Sequence, residues 1–291
     1  MKLMSVWGSP GGGKTTLSLE LAKKISLDTQ KNVVLIFPDD QASPISYLFP
    51  SLEKEGGSLG NIVATAGFNQ EAIKKTLVNH RKNKYLAFLG YRDGESRLKY
   101  PEMVESQVMD LFIALGHLFD YCIVDCQSNV MYDRITQYAL RYGEVVILGG
   151  GDLKSIAFFK SISSQIQDYP GIRQAISAVN NPWDFETWKM MAEKYNEKVT
   201  FFFPYSADLQ MAYLEGTSIE PLENNRRNKE WFEALTELIG ELLEDGAETP
   251  EFNPDERKFK KKSRVKKEKK PKQRNRLSFS RKKKQEVIDE S

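Results

Sequence analysis

The residues with the plainest chemistry stand near the amino end. Gly8-Ser9-Pro10-Gly11-Gly12-Gly13-Lys14-Thr15 fits G-x-x-x-x-G-K-[ST] at every fixed position. Glycines let successive backbone N–H groups turn inward around phosphate oxygens, and a helix starting at the loop adds the positive end of its dipole. Lys14 would neutralise the outer phosphates of a nucleotide, and the Thr15 hydroxyl would ligate Mg²⁺. A glycine-rich strand-to-helix turn that binds nothing has no need of Lys-Thr after its last glycine.

Carboxylates fit the metal side of the same chemistry. Tyr121-Cys122-Ile123-Val124-Asp125 is an apolar strand ending in an acid. That is the Walker B arrangement, with Asp125 reaching Mg²⁺ directly or through water. The plain alternative is a turn or helix-capping aspartate. Asp39 and Asp40 follow the apolar run Val33–Phe37. In a parallel sheet these acids and the glycine loop share the carboxyl edge, where ligands bind. One of the pair could orient an attacking water, and the sequence leaves open which. A solvated acidic turn is the plain alternative.

The elements that must position these groups alternate along the chain. Residues 2–7 read as a buried strand running into the loop, and a helix follows over 14–25 with Leu17, Leu21 and Ile25 on one face. Further strands are expected at 33–37, 85–90, 121–125, 144–148, 173–179 and 199–203. Helices are expected at 71–80, 102–118, 132–142, 153–167, 182–195, 207–215 and 229–244. Residues 39–61 read as mostly loop, with a short helix near 45–49. Strands alternating with helices imply a mostly parallel sheet covered on both faces.

Composition bounds the class. The 291 residues are 40% hydrophobic and 28% charged, enough apolar material for one large α/β domain with appendages. The apolar runs fall short of the ~18–20 residues that span a bilayer. The start lacks the apolar core and cleavage site of a secretory signal. Two cysteines, Cys122 and Cys126, form neither a disulfide framework nor a zinc set and read as buried thiols. The net charge of +2 hides two opposed parts: 17 Lys/Arg against 2 Asp/Glu in residues 256–284, and 25 basic against 35 acidic residues in 1–255. We read a globular domain over 1–244, a linker at 245–255 and a basic, disordered tail at 256–291. The tail suits a polyanion, either DNA or an anionic membrane surface.

The quoted segments resemble the MinD/ParA group of P-loop ATPases, nearest its CpaE/TadZ-like branch. VWGSPGGGKTTLSLELA is similar to the family's opening loop and helix, and VVLIFPDD to the strand carrying its switch I aspartate. FDYCIVDCQS, VVILGGGDLKSI, VNNPW and FFFPYSADLQMAYLEG resemble later family segments, so the likeness covers about residues 1–243. It implies a three-layer P-loop NTPase fold and an ATP- and Mg²⁺-dependent homodimer that sandwiches two nucleotides and is reset by hydrolysis. By residue, it implies that Gly8, Gly11, Gly12, Gly13, Lys14, Thr15 and Thr16 hold phosphate. Asp39 would be the switch I acid and Asp125 the Walker B acid. Asn180, with Asn181 as a substitute, would read adenine, and Pro204 and Tyr205 would flank the base. Such proteins act in the cytoplasm, at the membrane or nucleoid, and position pili and secretion machines or partition DNA.

Two departures bear on mechanism. The family's signature lysine, which reaches the partner subunit's phosphates, falls at Ser9, and Pro10 stands where glycine is usual. Serine cannot supply that charge. Phe37 replaces the first acid of the switch I pattern. A nucleotide-holding scaffold with little turnover is therefore the alternative to a hydrolysing switch.

Overall fold

The computed structural model describes residues 1–50, 58–64, 68–96, 98–166, 169–173, 175–180, 199–222 and 225–244. The expected helix at 182–195, the linker at 245–255 and the basic tail lie outside these residues. Among the described residues the strands are β1 (Lys2–Gly8), β2 (Val33–Phe37), β3 (Val78–Asn79), β4 (Leu86–Gly90), β5 (Tyr121–Asp125), β6 (Glu144–Gly150), β7 (Ile176–Asn180) and β8 (Val199–Phe203). They form one sheet in the order β3-β4-β2-β5-β1-β6-β7-β8. Every pairing is parallel except the β3–β4 edge.

The alternation of side chains along each strand builds two cores. Met4, Val6, Leu35, Phe37, Ile123 and Leu148 point to one face, beneath α1 (Lys14–Thr29). Trp7, Val34, Ile36, Val124 and Ile147 point to the other. Continuous apolar runs such as VVLIF are what a strand buried on both faces requires. The remaining helices are α2 (Ile45–Leu48), α3 (Leu59–Ala64), α4 (Gln70–Thr76), α5 (Glu105–Gly116), α6 (Arg134–Tyr142), α7 (Leu153–Ile166), α8 (Pro170–Arg173), α9 (Ala207–Leu214) and α10 (Lys229–Leu243). Helices α5 and α6 pack on the Trp7 face, while α10 joins α1 on the first. The three-layer α/β architecture is thus the one expected from the alternating pattern. Both cysteines are buried, and burial pushes both thiols well above their ordinary pKa.

Local differences from the sequence reading have physical causes. The helix expected at 71–80 stops at Thr76, because Val78 and Asn79 pair antiparallel with Phe88 and Ala87. The helical spacing of Ile73 and Leu77 runs right up to that break, so periodicity alone does not mark it. Helix α3 falls at the end of the stretch read as loop; Leu59, Ile62 and Val63 are buried there despite the adjacent glycines. Helix α8 starts at Pro170, where the missing N–H costs nothing.

Gly8, at the end of β1, is a close-approach glycine. A Cβ there would overlap the Leu148 carbonyl oxygen of β6. Backbone cannot swing aside as a side chain can. Gly8→Ala is therefore expected to lower stability by about 2–4 kcal/mol, read by chemical denaturation. An unchanged midpoint would contradict this packing.

Candidate functional site

The order β2-β5-β1 brings three strand ends to one edge. The register pairs Val6 with Asp125, so the acid that ends β5 lies beside the strand feeding the glycine loop. Gly13 closes that loop at φ 90°, in the left-handed region, and caps the start of α1. A side chain at position 13 would also run into Asn180. The N-terminus of a 16-residue helix therefore opens directly onto the loop.

Helix α1 supplies two hydroxyls to the acid. Thr15 Oγ1 donates to Asp125 Oδ2 at 2.6 Å, and Ser18 Oγ donates to Asp125 Oδ1 at 3.3 Å. Asp125 is 8% exposed. Burial pushes its carboxyl up to about 6; the Thr15 hydroxyl, the Lys14 charge and Ser18 oppose that, and the Asp39 charge adds to it. Thr15 and Asp125 together present adjacent hard oxygens, the donor type Mg²⁺ takes.

Lys14 curls over the loop. Its Nζ donates to the Ser9 carbonyl at 3.1 Å and to Ser128 Oγ at 2.7 Å. Burial holds its pKa below the usual lysine value, against the pull of Asp125 and Asp39. Asp39 follows β2 in an Asx turn: its Oδ1 accepts from the Gln41 and Ala42 N–H groups at 2.9 and 3.1 Å. Gln127 Nε2 donates to the Pro38 carbonyl at 3.1 Å and ties this turn to the segment after Asp125.

Two cavities meet over the loop. One, of about 330 Å³, runs from Gly13, Lys14, Thr15 and Thr16 to Asn180, Pro204, Tyr205 and Trp231. The other, of about 640 Å³, holds Lys14, Thr15, Asp39, Asp125, Gln127 and Ser128. Gly11, Lys14, Thr15 and Tyr213 belong to both. The groove therefore has two arms that share the lysine, one with an aromatic wall and one lined by acids. Asp39 lines the acid arm; Asp40 is buried. Asn180 lines the aromatic-walled arm, and its Nδ2 donates to the Gly12 carbonyl at 3.1 Å. Asn181 lies outside the described residues.

Ser9 turns away from the groove. It is 1% exposed, and its hydroxyl pairs with Ser155 Oγ at 2.7 Å. The Gly150 N–H donates to both hydroxyls, at 3.2 Å for Ser9 and 2.9 Å for Ser155, and Asp152 Oδ1 accepts from the Ser155 N–H at 2.8 Å. The loop is thereby fastened to the turn between β6 and α7. Ser9→Ala removes one of the two hydrogen bonds to the Ser155 hydroxyl and is expected to cost about 1 kcal/mol, visible as a lowered melting temperature.

Sequence reasoning missed Ser18, Gln127, Ser128, Tyr47 and Tyr213. Ser18 is one helical turn beyond Thr15, a spacing that puts both on the face toward Asp125. Ser128 comes three residues after Asp125. The two tyrosines carry no local signal; only the fold brings α2 and α9 to the groove.

No protein-family model matches the sequence, and no curated protein does. Solved structures do match the fold. A ParA family ATPase from Chlorobium tepidum aligns with TM-score 0.64 at 14% identity, over 82% of this chain and 98% of that one. The cell division ATPase MinD of Pyrococcus furiosus aligns with TM-score 0.64 at 17% identity, over 83% and 100%. A putative plasmid partition protein of Borrelia burgdorferi, bound to AMPPNP, aligns with TM-score 0.60 at 19% identity, over 83% and 99%. The chain therefore has the fold of ParA- and MinD-type ATPases.

Proposed function

We propose that this chain is a MinD/ParA-type ATPase, in which Mg²⁺–ATP draws two copies together over their phosphate loops and hydrolysis separates them. The observation that carries this reading is the meeting of Lys14, Thr15, Asp39 and Asp125 in one groove, with an aromatic-walled arm beside it. The loop N–H groups and Lys14 hold the phosphates. Thr15 and Asp125 would hold Mg²⁺, which supplies charge neutralisation on the triphosphate oxygens. Pro204 and Tyr205 border the base, with Asn180 at its edge. Asp39, steadied through Oδ1 by two main-chain N–H groups, orients the attacking water through its second oxygen.

The role is to position or partition a larger assembly, a pilus or secretion apparatus or a mobile DNA element, as in the CpaE/TadZ-like branch. The protein works in the cytoplasm, and the basic tail contacts DNA or an anionic membrane surface. Among the described residues no helix is long and apolar enough to cross a membrane.

The inward-turned Ser9 favours a second reading, a scaffold that holds nucleotide and barely turns over. Phosphate release measured with Mg²⁺, then with added duplex DNA or anionic vesicles, separates the two. Turnover raised by either polyanion supports the switch and names the tail's target. No release under any condition supports the scaffold.

A further inference from the structure

We infer that the Tyr47 and Tyr213 phenols form a strap across the acid-lined arm of the groove and donate hydrogen bonds to the terminal phosphate of a bound nucleoside triphosphate. This deepens the ATPase reading and rests on it.

The pair joins the two segments that frame the ligand. Tyr47 sits on α2, which starts six residues after Asp39, and Tyr213 on α9, which follows the Pro204–Ser206 segment. The rings meet edge to face with centroids 6.4 Å apart. Tyr47 lines the acid arm with Asp39 and Asp125, while Tyr213 lines both arms. The two touching rings thus stand on the wall of the groove that Lys14 and Thr15 also line. Both are part exposed, 40% and 45%, as groups at a mouth must be if they are to meet an entering ligand.

The site has a place for such donors. Among the described residues that line the two arms, Lys14 is the one cation. Position 9 contributes no charge, and its hydroxyl is held by Ser155 and Gly150. Even with Mg²⁺ at Thr15 and Asp125, a triphosphate carries more negative oxygen than one ammonium and the loop N–H groups satisfy. Phenols are neutral donors that reach phosphate oxygens without adding a second buried charge. Burial foremost, then the Tyr213 phenol and then the Asp125 charge, pushes the Tyr47 hydroxyl's pKa up, so it keeps its proton. Tyr47 lines the acid arm and not the arm that holds Asn180, Pro204 and Trp231, so with the base in that second arm its donor meets the outermost phosphate and distinguishes triphosphate from diphosphate.

Calorimetric titration of the full chain with Mg²⁺–ATP and Mg²⁺–ADP tests this. Tyr47→Phe, Tyr213→Phe and the double variant keep both rings and remove only the hydroxyls. The double variant is expected to lose about tenfold in ATP affinity while ADP changes by less than about twofold, the effect of losing hydrogen bonds to a charged group. Unchanged affinity for both nucleotides would overturn the strap. An equal loss for both would also overturn it, by moving the contact off the terminal phosphate. Wild-type protein that binds neither nucleotide would instead remove the ATPase reading, and the strap with it.

Discussion

Lys14→Ala is expected to lower ATP turnover by about 10²–10³-fold and to weaken triphosphate binding, with little change in fold. The argument is positional. Lys14 is the cation shared by both arms of the groove, and it follows the glycine that caps α1. Its ammonium donates to the Ser9 carbonyl and Ser128 Oγ. Phosphate oxygens would replace those neutral acceptors with charged ones in a water-poor site, where the pairing is strongest. Alanine removes one part-buried hydrogen bond to the Ser128 hydroxyl, so the structural cost stays within about 1 kcal/mol. Single-turnover phosphate release together with a melting curve checks both halves. Turnover within about threefold of the wild type would contradict the role given to this lysine.

Asp125→Asn is expected to act in two opposed directions. The folded carboxyl is raised from 3.8 to about 6, so between those values the folded state binds the extra proton. Stability of the metal-free protein therefore falls as pH rises through this window, and the penalty is fully present above about 6. Asparagine carries no charge to bury, and the Thr15 and Ser18 hydroxyls can reorient to its amide. The variant is expected to be more stable than wild type by about 1–3 kcal/mol at neutral pH, with the gap closing below pH 4. Its Mg²⁺-dependent turnover is lost, because the hard anionic ligand is gone. Melting temperatures of both proteins from pH 4 to 8, without nucleotide, check the sign. A less stable variant at pH 7 would show that Asp125 is a structural acid. The penalty is the expected signature of a group kept for binding, since a charge buried beside two hydroxyls costs folding stability.

These residues also show which parts of the site could be read from the chain. The glycine loop was legible because close backbone approach at Gly8 and the left-handed turn at Gly13 admit little else. Asp125 was legible because an apolar strand ending in an acid is unusual for a buried parallel strand. Strand order was not: that β5 lies between β1 and β2 follows from pairing that no local pattern encodes. Asp39 could be separated from Asp40 only once the turn was seen, with Asp39 lining the acid arm and Asp40 buried. Ser9 was legible as a missing charge, but its attachment to Ser155 is a contact across 146 residues. The strap of Tyr47 and Tyr213 spans a still longer separation. The edge strand β3 was hidden because it is a two-residue pairing that directly follows the helical spacing of Ile73 and Leu77.

The most direct test of the account is the solution mass of the full chain by light scattering with no nucleotide, with ADP, and with ATP–Mg²⁺, while phosphate release is followed in the same samples. The account predicts a doubling of mass with ATP–Mg²⁺ alone, decaying as phosphate appears and absent in Lys14→Ala. A mass indifferent to nucleotide would contradict it, leaving a phosphate loop without the dimer it is proposed to control.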